Sequence, residues 1–119
     1  MTGPHLPMLY NRIDLFELAV ASTADYLKGL WPEELSDVHF DVAAAPIGPV
    51  DPDGVERWHV DPLGRRITLY RLPIQRLAKL HRNDDAHRRM YVESCVFRAV
   101  AELLGKDPWD LAPERFRHL

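Results

Sequence analysis

Arg98 and Glu102 are charged residues of opposite sign, four positions apart in an otherwise largely apolar stretch, residues 91–105. Ser94 lies four residues before Arg98, and Tyr91 is nearby. At about 3.6 residues per turn, this spacing puts the polar side chains on one stripe of a helix. Burying a charge is costly unless it is paired, so we expect the stripe either to face a wet cleft or to form an internal ion pair.

The stretch that carries this stripe is predicted to be a long buried helix. Apolar side chains cover most of its circumference, which is typical of a helix packed between other elements. Asn83 or Asp84 can cap its first turn, and Gly105 is placed to end it in the left-handed conformation. A short helix over residues 73–80, with Pro73 as its first residue, is predicted to precede it. The chain after it is expected to pack back against the core through Trp109, Leu111 and Phe116.

Patterns of apolar residues also predict the elements that position this helix. Helical spacing over residues 11–29 predicts an amphipathic N-terminal helix. Residues 38–42 alternate between apolar and polar, which predicts a half-buried strand. Residues 55–60 and 66–71 are two more strand-like runs. Residues 61–64 (DPLG) suit a tight turn, so the two runs are predicted to form an antiparallel hairpin. The sequence leaves open which strand lies at the sheet edge.

Length and composition indicate one domain. The chain has 119 residues, enough for a single core, and we assign residues 1–119 to one α+β domain with residues 1–9 as a flexible tail. A net charge of −3 with scattered basic residues argues against a nucleic-acid partner. No run reaches the roughly 18 apolar residues of a membrane span, and no signal peptide is recognisable, so a cytoplasmic protein is expected. The one cysteine, Cys95, is expected to behave as a small buried hydrophobe.

Residues 67–71, ITLYR, are a predicted strand, and the long helix that follows after a linker ends at Leu104-Gly105. A strand and helix of this kind resemble those of the small zincin-like metallopeptidases of bacteria. The resemblance runs over nearly the whole chain. It implies a zincin-like fold, in which a small mixed sheet with a hairpin packs against an N-terminal helix and a buried C-terminal helix. It also implies a zinc cofactor held by an HExxH motif on that buried helix.

The positions that correspond to this motif carry other residues. Counting back from Gly105 places the family's two histidines at Arg98 and Glu102, its glutamate at Ala99 and its third ligand at Pro108. Arginine offers only donors, and neither alanine nor proline has a side-chain group that ligates a metal or accepts a proton. No catalytic residue, metal ligand or cofactor is therefore assigned. The Arg98–Glu102 pair has two interpretations: partly buried, it substitutes structurally for zinc, or exposed, it contributes well under ~1 kcal/mol.

Three functions are consistent with these residues. The first is a catalytically inactive metallopeptidase-like protein that retains a groove for a peptide or protein partner. The second is an active metallopeptidase with unconventional metal ligands, and the third is a structural domain. We prefer the first. Residues 43–54, a long Pro- and Gly-rich connection, are a candidate partner-binding loop, and the resemblance implies that a peptide lies along an edge strand. The groove is predicted at Tyr70, Arg71, Tyr91, Ser94, Arg98 and Glu102.

Overall fold

The computed structural model describes residues 12–47, 56–81 and 84–112 of the chain. Eight elements follow one another: α1 (Arg12–Leu30), α2 (Pro32–Leu35), β1 (His39–Ala43), β2 (Trp58–Asp61), β3 (Arg66–Tyr70), α3 (Arg71–His81), α4 (Asp85–Leu104) and α5 (Pro108–Leu111). Helices and one small sheet share a single core, which confirms the predicted α+β class. The predicted tail, residues 1–9, lies outside the described residues.

The central strand of the sheet is β3, in the order β1-β3-β2. β1 runs parallel to β3, with His39 opposite Arg66, and β2 runs antiparallel to it, with Trp58 opposite Leu69. Alternation along β3 puts Ile67 and Leu69 in the core, where both are fully buried. The predicted hairpin is confirmed. Within the described residues, both β1 and β2 are edge strands.

The turn between β2 and β3 is closed by a side-chain contact. Asp61 Oδ1 accepts a hydrogen bond from the Gly64 amide at 3.0 Å. A Cβ added at Gly64 would overlap the Asp61 carboxylate, so this contact favours glycine. Arg65 is left-handed with φ 55°, and its carbonyl accepts from the His39 amide at 2.9 Å. The turn therefore fixes the hairpin and also joins it to β1.

The long helix α4 forms the middle of the core, between α1 and the sheet. Val96, Ala99 and Val100 on α4 are fully buried, and so is Leu27 on the facing side of α1. Burying apolar surface from two directions gives this helix its stability, which is why its sequence is apolar around so much of its circumference. The predicted buried C-terminal helix is confirmed.

Both ends of α4 are formed as the sequence predicts. Asp84 is the N-cap, and its Oδ1 accepts from the His87 amide at 2.9 Å. Gly105 follows the last turn in the left-handed conformation, with φ 68°. Asn83, the other predicted cap, lies outside the described residues.

Two details of the predicted elements are wrong. Pro73 is the third residue of α3, not the first, because α3 begins at Arg71 directly after β3. Trp109 was expected to pack inward but is 59% exposed, whereas Leu111 is 2% exposed. Residues two apart on a helix point about 200° apart, so the single turn of α5 can bury only one of them. Trp31 packs here instead, and its Nε1 donates to the Leu111 carbonyl at 2.9 Å.

Replacing the cap of α4 is expected to lower stability measurably. Asp84→Ala removes the acceptor of the His87 amide and should cost about 1 kcal/mol of unfolding free energy. Asp107→Ala is a matched control, since Asp107 occupies the N-cap of α5 without a side-chain cap hydrogen bond. Urea unfolding followed by circular dichroism measures both. Equal losses of unfolding free energy in Asp84→Ala and Asp107→Ala would show that the hydrogen bond between Asp84 and the His87 amide makes no specific contribution to stability.

Candidate functional site

The polar stripe of α4 lies at the boundary between core and solvent. Tyr91 and Ser94 are half-buried, whereas Arg98 and Glu102 are exposed. Ala99, next to Arg98 in sequence, is 0% exposed. Arg98 and Glu102 therefore face water, so the stripe does not form an internal ion pair. Ala99, which the resemblance aligns with the HExxH glutamate, faces the core instead.

Glu102 is bound by a strand residue. Its Oε1 accepts a hydrogen bond from Trp58 Nε1 at 3.1 Å. Among the ion pairs of the described residues, none joins Arg98 to Glu102, so the predicted pair is not formed. β2 instead places the Trp58 indole N–H beside the Glu102 carboxylate.

A second contact joins the start of β2 to the other end of the stripe. Arg57 Nη1 donates to Tyr91 Oη at 2.8 Å. The Arg57 guanidinium also lies 4.8 Å from the centre of the Trp58 ring, a cation–π arrangement. We call Arg57, Trp58, Tyr91, Arg98 and Glu102 the β2–α4 face. The two hydrogen bonds fix the edge strand β2 to the polar side of α4.

The backbone of β2 adds unpaired groups to this face. The Tyr70 amide donates to the Arg57 carbonyl at 2.9 Å, which makes these two residues a hydrogen-bonded pair. Such pairs alternate with non-bonded pairs along antiparallel strands. The N–H and C=O groups of Trp58 and Val60 therefore point away from β3. Within the described part of the chain, no strand pairs with that side of β2.

Cys95 lies beneath this face as a free, buried thiol. Burial raises the pKa of its thiol to about 11, and the positive charges of Arg57 and Arg98 lower that pKa only in part. The thiol is therefore protonated at neutral pH, and the predicted role as a small buried hydrophobe is consistent with its 0% exposure. The effect of Arg57 and Arg98 on this thiol also indicates that two positive charges lie near the part of the β2–α4 face above Cys95.

Three of the predicted groove residues do not contribute a free side chain to this face. Tyr70 contacts the β2–α4 face through its backbone amide. Burial, and to a smaller extent the charge of Glu56, raises the pKa of the Tyr70 phenol. Arg71 begins α3, where its Nη1 donates to Gln75 Oε1 at 3.3 Å. Ser94 Oγ donates to the carbonyl of Tyr91 at 2.7 Å, a contact within its own helix.

The four positions that the resemblance aligns with HExxH and its third ligand differ in their burial. Arg98 and Glu102 are exposed, Ala99 is in the core, and Pro108 is half-buried in the first turn of α5. Among the described residues, no group of three or more histidine, cysteine, aspartate or glutamate side chains could hold a metal ion.

None of the described helices combines the length and the apolar composition that a membrane span requires.

Comparison with known proteins adds no relative. No protein-family model, no curated protein and no solved structure matches this chain.

Sequence reasoning missed the two residues that complete the face, Arg57 and Trp58. Both precede or begin a short strand, and their contacts are with residues 34 and 44 positions away. One signal was available: a tryptophan in a half-buried strand usually finds a partner for its indole N–H. Of the candidate loop, residues 43–54, Ala43 is the last residue of β1, and residues 48–54 lie outside the described residues.

Proposed function

We propose that this chain is a catalytically inactive relative of the small zincin-like metallopeptidases and binds an extended peptide along β2. The observation that carries the proposal is the side of β2 that no described strand covers, where the backbone groups of Trp58 and Val60 point away from β3. An added strand forms main-chain hydrogen bonds with such groups, which is a common mode of peptide recognition. The antiparallel edge position of β2 is compatible with the expected zincin-like arrangement.

The charges of the face indicate which peptides it favours. Arg98 is exposed and makes no ion pair or hydrogen bond with another described residue. Glu102, the only carboxylate of the face, already accepts from Trp58. Arg57 adds a second cation, which leaves the face with an excess of positive charge. We infer that an acidic side chain or a C-terminal carboxylate of the peptide pairs with Arg98.

The inactive character rests on the chemistry of the replaced residues. Ala99 is buried and has no group that could accept a proton, and Arg98 offers only donors. Neither can perform the step that the family's glutamate or histidine performs. Purified protein is expected to contain less than stoichiometric zinc and to show no peptide hydrolysis that a chelator abolishes. Zinc-dependent hydrolysis would instead establish the active metallopeptidase.

A proline on the free side of β2 is expected to block peptide binding without unfolding the protein. Val60→Pro removes an N–H that points away from β3, so no bond of the hairpin is lost. Affinity for acidic peptides from an array of short extended sequences should fall by at least about tenfold, the effect of losing one backbone hydrogen bond and the strand geometry around it. Fluorescence polarisation of labelled peptides measures the change.

Two further variants make this test specific. His59→Ala changes an exposed side chain of the same strand and leaves both backbone edges intact, so binding should persist. Arg98→Gln should weaken acidic peptides more than neutral ones. A wild-type protein that binds no peptide of the array would leave the structural-domain function as the better description. Equal binding by wild type and Val60→Pro would exclude β2 as the docking strand.

A further inference from the structure

A cavity lies beside the first half of α4, away from the β2–α4 face. A cavity of about 370 Å³ opens between α1, α3 and the first half of α4. Its floor consists of apolar side chains that are at most 6% exposed: Phe16, Ala19, Ala78 and Val92. Leu15, which is 52% exposed, lies at its margin. The volume lies within the range of small-molecule sites, at its lower end.

The rim of this cavity is positively charged. Three basic residues, Lys79, Arg88 and Arg89, and a single acidic one, Asp85, line it. Arg88 pairs with Asp85, and Arg89 Nε lies 3.3 Å from Glu93 Oε2. Lys79 is exposed and has no hydrogen bond or ion pair with any other described residue. The Lys79 ammonium group is therefore available to a ligand at the edge of the apolar cavity.

We propose that this cavity binds a small amphipathic carboxylate, a single anionic head on an aliphatic chain. The chain would cover the floor formed by Phe16, Ala78 and Val92, and the head would pair with Lys79. Burying the aliphatic chain supplies most of the binding free energy, and the one available cation fixes the orientation. A neutral ligand of the same length also buries its aliphatic chain, but it does not pair with Lys79. This site is independent of the peptide-binding face.

Octanoate and 1-octanol are the probes that separate these two contributions. Binding to the full chain is measured by NMR titration of the methyl groups, which also locates the ligand. Octanoate should shift the Ala78 and Val92 methyl signals with saturation in the millimolar range or below. Lys79→Gln should weaken octanoate by about fivefold, the upper range for an exposed charge pair, and leave 1-octanol unchanged.

Arg76→Gln is the matched control. Arg76 is exposed on the same helix and does not line the cavity, so its loss changes net charge equally but should alter octanoate binding less than about twofold. Both side chains are exposed, so each variant is expected to fold, and circular dichroism is the measurement that checks this. Equal weakening by both substitutions would mean that octanoate responds only to overall charge, which overturns the proposal. It is also overturned if octanoate does not saturate below about 5 mM, or if other methyl groups shift instead.

Discussion

Ala99→Glu is expected to destabilise the fold by at least about 4 kcal/mol, the largest loss we predict for one substitution. Ala99 is 0% exposed, in the middle of the face of α4 that packs into the core. A glutamate there must either displace its neighbours or carry an unpaired carboxylate into an apolar environment. Thermal and urea unfolding measure the loss. The substitution places a glutamate at the position that the resemblance aligns with the HExxH glutamate, so it also tests whether that position can face a cleft.

The pH dependence of this variant identifies the cause. Burial raises the pKa of the introduced carboxyl above its ordinary value of about 4.3, so ionisation favours the unfolded chain. The deficit relative to wild type should therefore shrink as the pH falls from 7 toward about 4. Arg98→Glu places the same side chain on the adjacent exposed position and should cost less than about 1 kcal/mol. A stable Ala99→Glu protein would mean that α4 is rotated relative to the structure described above.

Phe97→Ala is expected to cost about 3–5 kcal/mol of unfolding free energy. Phe97 is 2% exposed, and its ring lies 6.3 Å from the ring of Tyr26 at an interplanar angle of 32°. Truncation leaves a cavity between α4 and α1 in addition to the lost transfer free energy. The denaturant midpoint should fall with little change in the slope of the transition.

Trp109→Ala is the control for this loss, since it truncates an aromatic side chain that is 59% exposed. Its effect should stay within about 0.5 kcal/mol, as for most surface substitutions. A large effect of Trp109→Ala would restore the expectation that this residue packs against the core. A small effect of Phe97→Ala would contradict the position of α4 in the middle of the core.

Local signals accounted for most of the elements. The apolar pattern of α4, its cap at Asp84 and its left-handed end at Gly105 depend on neighbouring residues only, and all three are confirmed. The strand at Arg66–Tyr70 and the turn before it are local in the same sense. The burial of Leu111 in place of Trp109 was not predictable, because it depends on which side of a single turn meets Trp31.

The candidate site was predicted less completely, for a related reason. Arg98 and Glu102 were expected to pair because they are one helical turn apart, and that spacing was the only information available. The partner of Glu102 depends instead on sheet pairing, because the position of β2 brings the Trp58 indole next to Glu102, 44 residues away in sequence. Hydrogen bonds between side chains that are distant in sequence depend on how the elements pack. The spacing of residues along one helix gives no information about that packing.

Hydrogen exchange of the β2 amides, with and without an acidic peptide, tests the peptide-binding role most directly. The amides of Trp58 and Val60 point away from β3 and should exchange more slowly once a peptide strand pairs with them. The amides of His59 and Asp61, which face β3, should change little. If the peptide binds and the Trp58 and Val60 amides exchange at the same rates as in the free protein, β2 is not the strand that receives it.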